Sequence, residues 1–147
     1  MKRVLPPTYL FGAIVLMAFL HFLLPLRVVI VFPWRLIGIL PLVAGIGINL
    51  AADRAFKERG TTVKPYEAST AFITDGVFRF SRNPIYLGMT ASLLGIAILL
   101  GTATPFAIVP VFAVASDRVF IVPEERMLEQ AFGDEFRQYR NRVRRWI

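Results

Sequence analysis

The chain has no cysteine and a single histidine, His21, among 147 residues. The missing cysteines exclude a disulfide scaffold, thiolate-bound zinc and a cysteine nucleophile. The single histidine leaves a catalytic metal site with little support, since such sites draw on clustered ligands. Alone in an apolar run, His21 is expected to be a neutral, hydrogen-bonded packing residue. Charge is scarce as well: 18% of residues are charged, against about 25% in soluble domains. Acids are the minority, 10 against 17 lysines and arginines, for a formal charge of +7. No glycine fingerprint follows a strand-like segment, and nothing alternates strands with helices, which argues against a Rossmann-type fold. Internal repeats and low-complexity stretches are missing too.

Apolar residues are abundant, at 56%, and they are concentrated. Tyr9 to Leu24 carries no formal charge; it is longer than a signal-peptide core and no A-x-A-like site follows it. It is expected to be a retained transmembrane helix. Three further runs follow, and the expected spans are about 8–24, 34–52, 84–103 and 105–122. Each is near the roughly 20 residues that cross about 30 Å of hydrocarbon. The fourth carries Asp117 and Arg118 near its end, where charge in lipid is costly. The fold class expected is therefore an all-α integral membrane protein with about four transmembrane helices. Its polar segments are 53–83 and 123–147.

The basic residues give the orientation. Lys2 and Arg3 precede the first span, while only Arg27 and Arg35 separate the first two. Arg54, Lys57, Arg59, Lys64, Arg79 and Arg82 fill the next connection, and six arginines from Arg126 to Arg145 follow the fourth span. These rich segments fall on one side, which should be the cytoplasm, with both termini. The +7 thus reports topology and contact with anionic lipid before any nucleic acid. Gly38, Gly45 and Gly47 in the second span, and Gly88, Ser92, Ala91 and Gly95 in the third, are spaced for close helix packing. Such faces suit a monomer or a dimer.

The polar segments exceed what an anchor needs. In the first, Gly60, Pro65 and Asp75-Gly76 mark turns. Phe72, Ile73, Val77, Phe78 and Phe80 suggest packing on the membrane surface or over a site. It ends in Arg82-Asn83-Pro84-Ile85-Tyr86-Leu87-Gly88. Structurally, Asn83 suits an N-cap and Pro84 the first helical position. Functionally, the same helix start favours anions, and Arg82 could hold a carboxylate or phosphate. In the second segment Pro123 should kink or restart the helix. Glu124 and Glu125 then stand in a first turn, which favours acids. They also emerge beside Asp117 and Arg118; Arg118 and Glu125 would share a face if the helix continues through Pro123. After Gly133, Phe136, Tyr139 and Val143 recur at helical spacing. They predict an interfacial amphipathic helix with solvated or lipid-facing arginines and Trp146 as an anchor.

Thr74 to Gly88, and Glu124-Glu125-Arg126 with Phe132 to Phe136 and Tyr139 to Trp146, together resemble the isoprenylcysteine carboxyl methyltransferase and phospholipid methyltransferase superfamily. The likeness spans Gly60 to Ile147 and suggests a short, bacterial-type member. It implies a single domain over 1–147 in a bacterial inner membrane, using S-adenosylmethionine at the cytoplasmic face. Carried over, Arg82, Asn83, Pro84, Tyr86, Leu87 and Gly88 would bind the cofactor on one side and Glu124 and Glu125 on the other. Glu125, Arg118 and Arg126 are the candidate catalytic residues, the arginines orienting an acceptor that bears a carboxylate. Asn83 replaces the family's commoner histidine and cannot titrate near neutral pH. The implied partners are membrane lipid and a lipidic or small-molecule methyl acceptor, carboxylate or amine, with no metal and no nucleic acid. The alternative is a non-catalytic membrane protein of the same fold that binds lipid or cofactor.

Overall fold

The computed structural model describes residues 5–60 and 72–147; the expectations placed on Lys2, Arg3, Lys64 and Pro65 lie outside them. Helix α1 is Pro6–Leu23. A 3-10 segment, Trp34–Gly38, feeds α2, Ile39–Glu58. A short 3-10 turn, Gly76–Arg79, precedes α3, Pro84–Leu100. Helix α4, Ala103–Ser116, continues through a π-helical turn, Asp117–Ile121, into α5, Val122–Arg142. Among the described residues there is no β-strand, only an isolated bridge between Val28 and Thr102.

The chain is an all-α membrane protein. Pro6–Leu23, Trp34–Glu58 and part of Ala103–Arg142 are long and apolar enough to cross a bilayer. Helix α3 is shorter, with 17 residues, or about 25 Å at 1.5 Å per residue. It is the central helix. Its Met89, Leu93 and Ala97 are buried against Met17 of α1 and Phe112 of α4. Phe11, Phe19 and Phe22 of α1 and Leu40 and Val43 of α2 are exposed. Such an apolar surface is unfavourable in water and natural against lipid tails.

Lipid offers no hydrophobic drive between helices, so α2 and α3 associate through close approach. A Cβ added at Gly95 would lie 2.6 Å from the Gly38 carbonyl, and one at Gly88 would lie 2.6 Å from Asn49 Oδ1. Gly45 is closed in the same way by Gly88 and Ser92. Gly47 has open space around it, so the small-residue face runs through Gly38 and Gly45 without it.

Element ends moved by a few residues, each for a local reason. Helix α3 stops at Leu100 because Gly101 adopts the left-handed conformation (φ 72°). Helix α4 then starts at Ala103, so the connection expected over Gly101–Pro105 closes within its first two residues, Gly101 and Thr102. At the other end, α2 runs on past Ala52 to Glu58, and Asp53 pairs with Lys57 at 2.6 Å. Gly133, with φ 50°, divides α5 into two helical arms.

Candidate active site

The site forms where α2 ends, α3 begins and α5 emerges. The 3-10 turn Gly76–Arg79 buries Phe78 against Ala52 and Phe56. Phe80 then points outward, 79% exposed, and Ser81 turns in. The Ser81 hydroxyl accepts the Asn83 backbone N–H at 3.1 Å and donates to the Arg145 carbonyl at 3.2 Å. Asn83 occupies the N-cap position of α3, yet its side chain makes no capping bond. Instead its amide donates to the same Arg145 carbonyl at 3.2 Å. The Arg82 backbone N–H donates to the Arg144 carbonyl at 3.0 Å. The last residues after α5 therefore form a strap across the start of α3.

Pro123 has no N–H to return to the preceding turn, and the chain accommodates this in the widened π turn just before it. That turn shifts the helical register, and the expected face shared by Arg118 and Glu125 does not form. The Arg118 side chain is 78% exposed, with only a loose pairing to Asp117 at 3.8 Å. Glu125 is buried instead. Arg145 grips it with two bonds, Nε to Oε1 at 3.2 Å and Nη2 to Oε2 at 2.6 Å. Arg145 Nη1 also reaches Asp117 at 3.2 Å, and Arg82 Nη2 approaches Glu125 Oε1 at 3.3 Å. The Tyr86 hydroxyl donates to Glu124 at 3.5 Å, while its ring stacks on Phe120.

Phe56, Phe72, Phe78 and Phe136 wall a cleft into which Arg82, Asn83, Glu124 and Glu125 look. The cleft is open to solvent, and the space within it measures about 40 Å³. Electrostatics divide the cleft. Burial pushes Arg82 below its ordinary value, partly offset by Glu125. Glu124 keeps some solvent contact, but the protein packed around its carboxyl pushes it up to about 7, opposed by the Tyr86 hydrogen bond. The bond to Glu125 holds Arg145 above its ordinary value. Burial raises Tyr139 to about 12, and its hydroxyl donates to the Phe78 carbonyl at 2.6 Å.

Of the residues expected at the site, Arg82, Asn83, Glu124 and Glu125 line the cleft, and Tyr86 touches it through Glu124. Pro84, Leu87 and Gly88 do not line it. Pro84 is buried at the start of α3, and Gly88 faces α2, where its lack of a Cβ admits Asn49. Arg118 and Arg126 are exposed and stand outside it. Sequence reasoning missed Arg145, which was expected to be solvated or lipid-facing, whereas Phe72, expected to pack on the membrane surface or over a site, does line the cleft, stacking on Phe132 and meeting Tyr139 edge-on. Trp146 packs on the Tyr86–Phe120–Ile121 cluster where an interfacial anchor was expected. The signal for the aromatics was present in the apolar residues of 72–80; Arg145 lay within the Tyr139 to Trp146 stretch of the resemblance, but nothing there set it apart from its neighbouring arginines.

The cleft suits a ligand with both an anionic and a cationic group. Arg82 is 9% exposed through its side chain, and its Nε and Nη1 are buried with no hydrogen-bond acceptor among the described residues. Buried donors are rarely left unmet, and a guanidinium edge fits a carboxylate bidentately. Glu124 and Glu125 provide the opposite sign alongside.

The profile of the phospholipid methyltransferase family matches residues 34–135. Among curated proteins, an uncharacterised protein of Haemophilus influenzae is 36% identical over 63 residues, covering 43% of this chain and all of that protein. A protein-S-isoprenylcysteine O-methyltransferase of Schizosaccharomyces pombe is 35% identical over 74 residues, 48% of this chain and 30% of the enzyme. Methanethiol S-methyltransferase 1 of Bradyrhizobium diazoefficiens is 38% identical over 72 residues, 49% of this chain and 24% of the enzyme. The match thus spans less than a third of either named enzyme. No solved structure matches significantly. Because the profile covers more than half of the chain and the cleft residues fall within it up to Glu125, the chain belongs to the phospholipid methyltransferase family, within the superfamily that includes the isoprenylcysteine carboxyl methyltransferases.

Proposed function

We propose that this protein is an integral-membrane methyltransferase that uses S-adenosylmethionine, with its cleft on the cytoplasmic face of a bacterial inner membrane. The observation that carries this is Arg82, whose two unmet buried donors stand beside an acidic pair where the helices leave the bilayer. When bound, S-adenosylmethionine supplies a methyl group activated on a sulfonium. Arg82 holds the cofactor's carboxylate, helped by the partial positive charge at the start of α3. Glu124 offers a hydrogen-bond acceptor to the cofactor's cationic groups and ribose hydroxyls, while Glu125, held by Arg145 and Arg82, fixes the wall beside it. Phe56, Phe72, Phe78 and Phe136 exclude water. Alignment of donor and acceptor is the main catalytic requirement for such an in-line displacement, and no nucleophilic side chain is needed.

The acceptor is lipidic or a small amphipathic molecule that reaches the cleft from the bilayer. A carboxylate acceptor needs no base, whereas an amine has to give up a proton, for which Glu124 is placed. Arg118 and Arg126, exposed at the same end, are left to meet lipid headgroups or the acceptor's own charge. The test is incubation of membranes containing the protein with methyl-labelled cofactor, then separation of lipid, protein and small-molecule fractions. Label above the level in membranes without the protein is expected in one fraction, and that fraction names the acceptor. Calorimetry with S-adenosylhomocysteine runs alongside; absence of binding at millimolar ligand overturns the proposal and favours a non-catalytic protein.

A further inference from the structure

We infer that Arg145, on the strap after α5, is a positioning residue that keeps the Arg82 guanidinium open for an incoming carboxylate; this rests on the cofactor assignment above. Glu125 has two oxygens, and Arg145 takes both, at 3.2 and 2.6 Å. Arg82 is left with a single approach at 3.3 Å through Nη2. Its Nε and Nη1 consequently remain without an acceptor.

Removing Arg145 changes that competition. Both oxygens of Glu125 become available to Arg82, the other guanidinium that touches it among the described residues, and the bidentate pair is the favoured geometry. Arg82 would then turn its fork onto Glu125 and be lost to the ligand. Arg145 is itself fixed by the backbone: the Arg145 carbonyl accepts from Ser81 and Asn83, at 3.2 Å each, and the Arg144 carbonyl accepts from Arg82 at 3.0 Å. Asn83 therefore serves here as a clasp for the strap, a task that needs an N–H donor and no titration.

The experiment measures binding of two ligands to the full chain in detergent: S-adenosylhomocysteine and its decarboxylated analogue. In Arg145→Met the first is expected to bind roughly 100-fold more weakly, the loss of Arg82's two charge-assisted bonds, while the second is unchanged. Arg145→Lys keeps the charge without the fork, so an intermediate loss confined to the first ligand is expected; this variant also serves if the methionine variant does not fold. Equal losses for both ligands reduce Arg145 to a structural residue and overturn the inference. So does wild-type affinity for both. A wild-type chain that binds neither ligand refutes the cofactor assignment itself, a result distinct from either of these.

Discussion

The two ends of α3 are both tied down by polar contacts, but in opposite ways. At the far end the ties run mostly between backbone and uncharged side chains, with Arg35 alone among the described residues bringing a guanidinium, whose Nη2 donates to the Ile30 carbonyl at 3.5 Å. The Gly101 carbonyl accepts from Val29 and Ile30, at 2.8 and 3.1 Å, and Ala103 donates to the Arg27 carbonyl at 2.9 Å. His21 Nδ1 meets the Thr102 hydroxyl at 2.8 Å. Thr104 donates to the Leu20 carbonyl at 3.3 Å. These close a chain reversal and leave little over. At the near end, Arg82, Arg145, Asp117 and Glu125 are interlocked charges, and two donors remain unmet. A stable turn satisfies its groups from within, whereas a binding site holds some in reserve. Arg35 is the far end's exception: its Nε also lacks an acceptor, yet no acidic side chain pairs with it among the described residues.

This contrast can be broken most directly at the two arginines. Arg82→Met should weaken S-adenosylhomocysteine binding by about 100-fold, from the loss of two charge-assisted bonds, while Arg35→Met should leave it unchanged. Equal effects in calorimetry would erase the distinction between the ends. Packing should matter to stability irrespective of chemistry. Gly95→Val drives side-chain atoms against the Gly38 carbonyl and Leu42, so a loss of about 1–3 kcal/mol is expected in thermal unfolding in detergent, with near-normal ligand affinity in the folded fraction.

The smallest effect concerns pH. The folded protein holds Glu124 at about 7, above its ordinary 4.5. Below that ordinary value the carboxyl is protonated in both folded and unfolded chains, and its contribution to stability is fully present. Between about 4.5 and 7 the folded chain binds the extra proton, and that contribution is lost as pH rises through 7. Melting temperatures at pH 5 and pH 8 should therefore differ less in Glu124→Gln than in the wild type.

Much of this was legible in the sequence. The helices follow from uncharged apolar runs, and the α2–α3 contact from glycine spacing. Arg82, Asn83, Glu124 and Glu125 meet because their motifs stand at the near ends of neighbouring helices. What stayed hidden depends on three-dimensional closure. Arg145 lies 20 residues beyond Glu125, and helical spacing says nothing of a tail that turns back on the site. Arg118 was expected beside Glu125 on the premise of an unbroken α-helix, which the π turn removes. Gly88 belongs to the recognisable motif, but its measurable constraint is the proximity of α2. Asn83 was read in sequence as an N-cap or a cofactor contact; in the fold its side chain fastens the Arg145 carbonyl.

The π turn at Asp117–Ile121 has a consequence for how such chains can vary. A π turn is an α-helix with one residue too many. Excising a single residue there would leave composition, apolar profile and charge almost untouched. Because the bulge absorbs the surplus residue locally, the excision would also restore a regular α-helix and keep the acidic pair turned toward Arg82, whereas the same excision from an unbroken α-helix rotates everything downstream by about 100°. Retained helicity in circular dichroism with retained ligand binding is the expected signature of that deletion. A length change of one residue, ordinarily read as a loss of helical register, would here leave the site assembled.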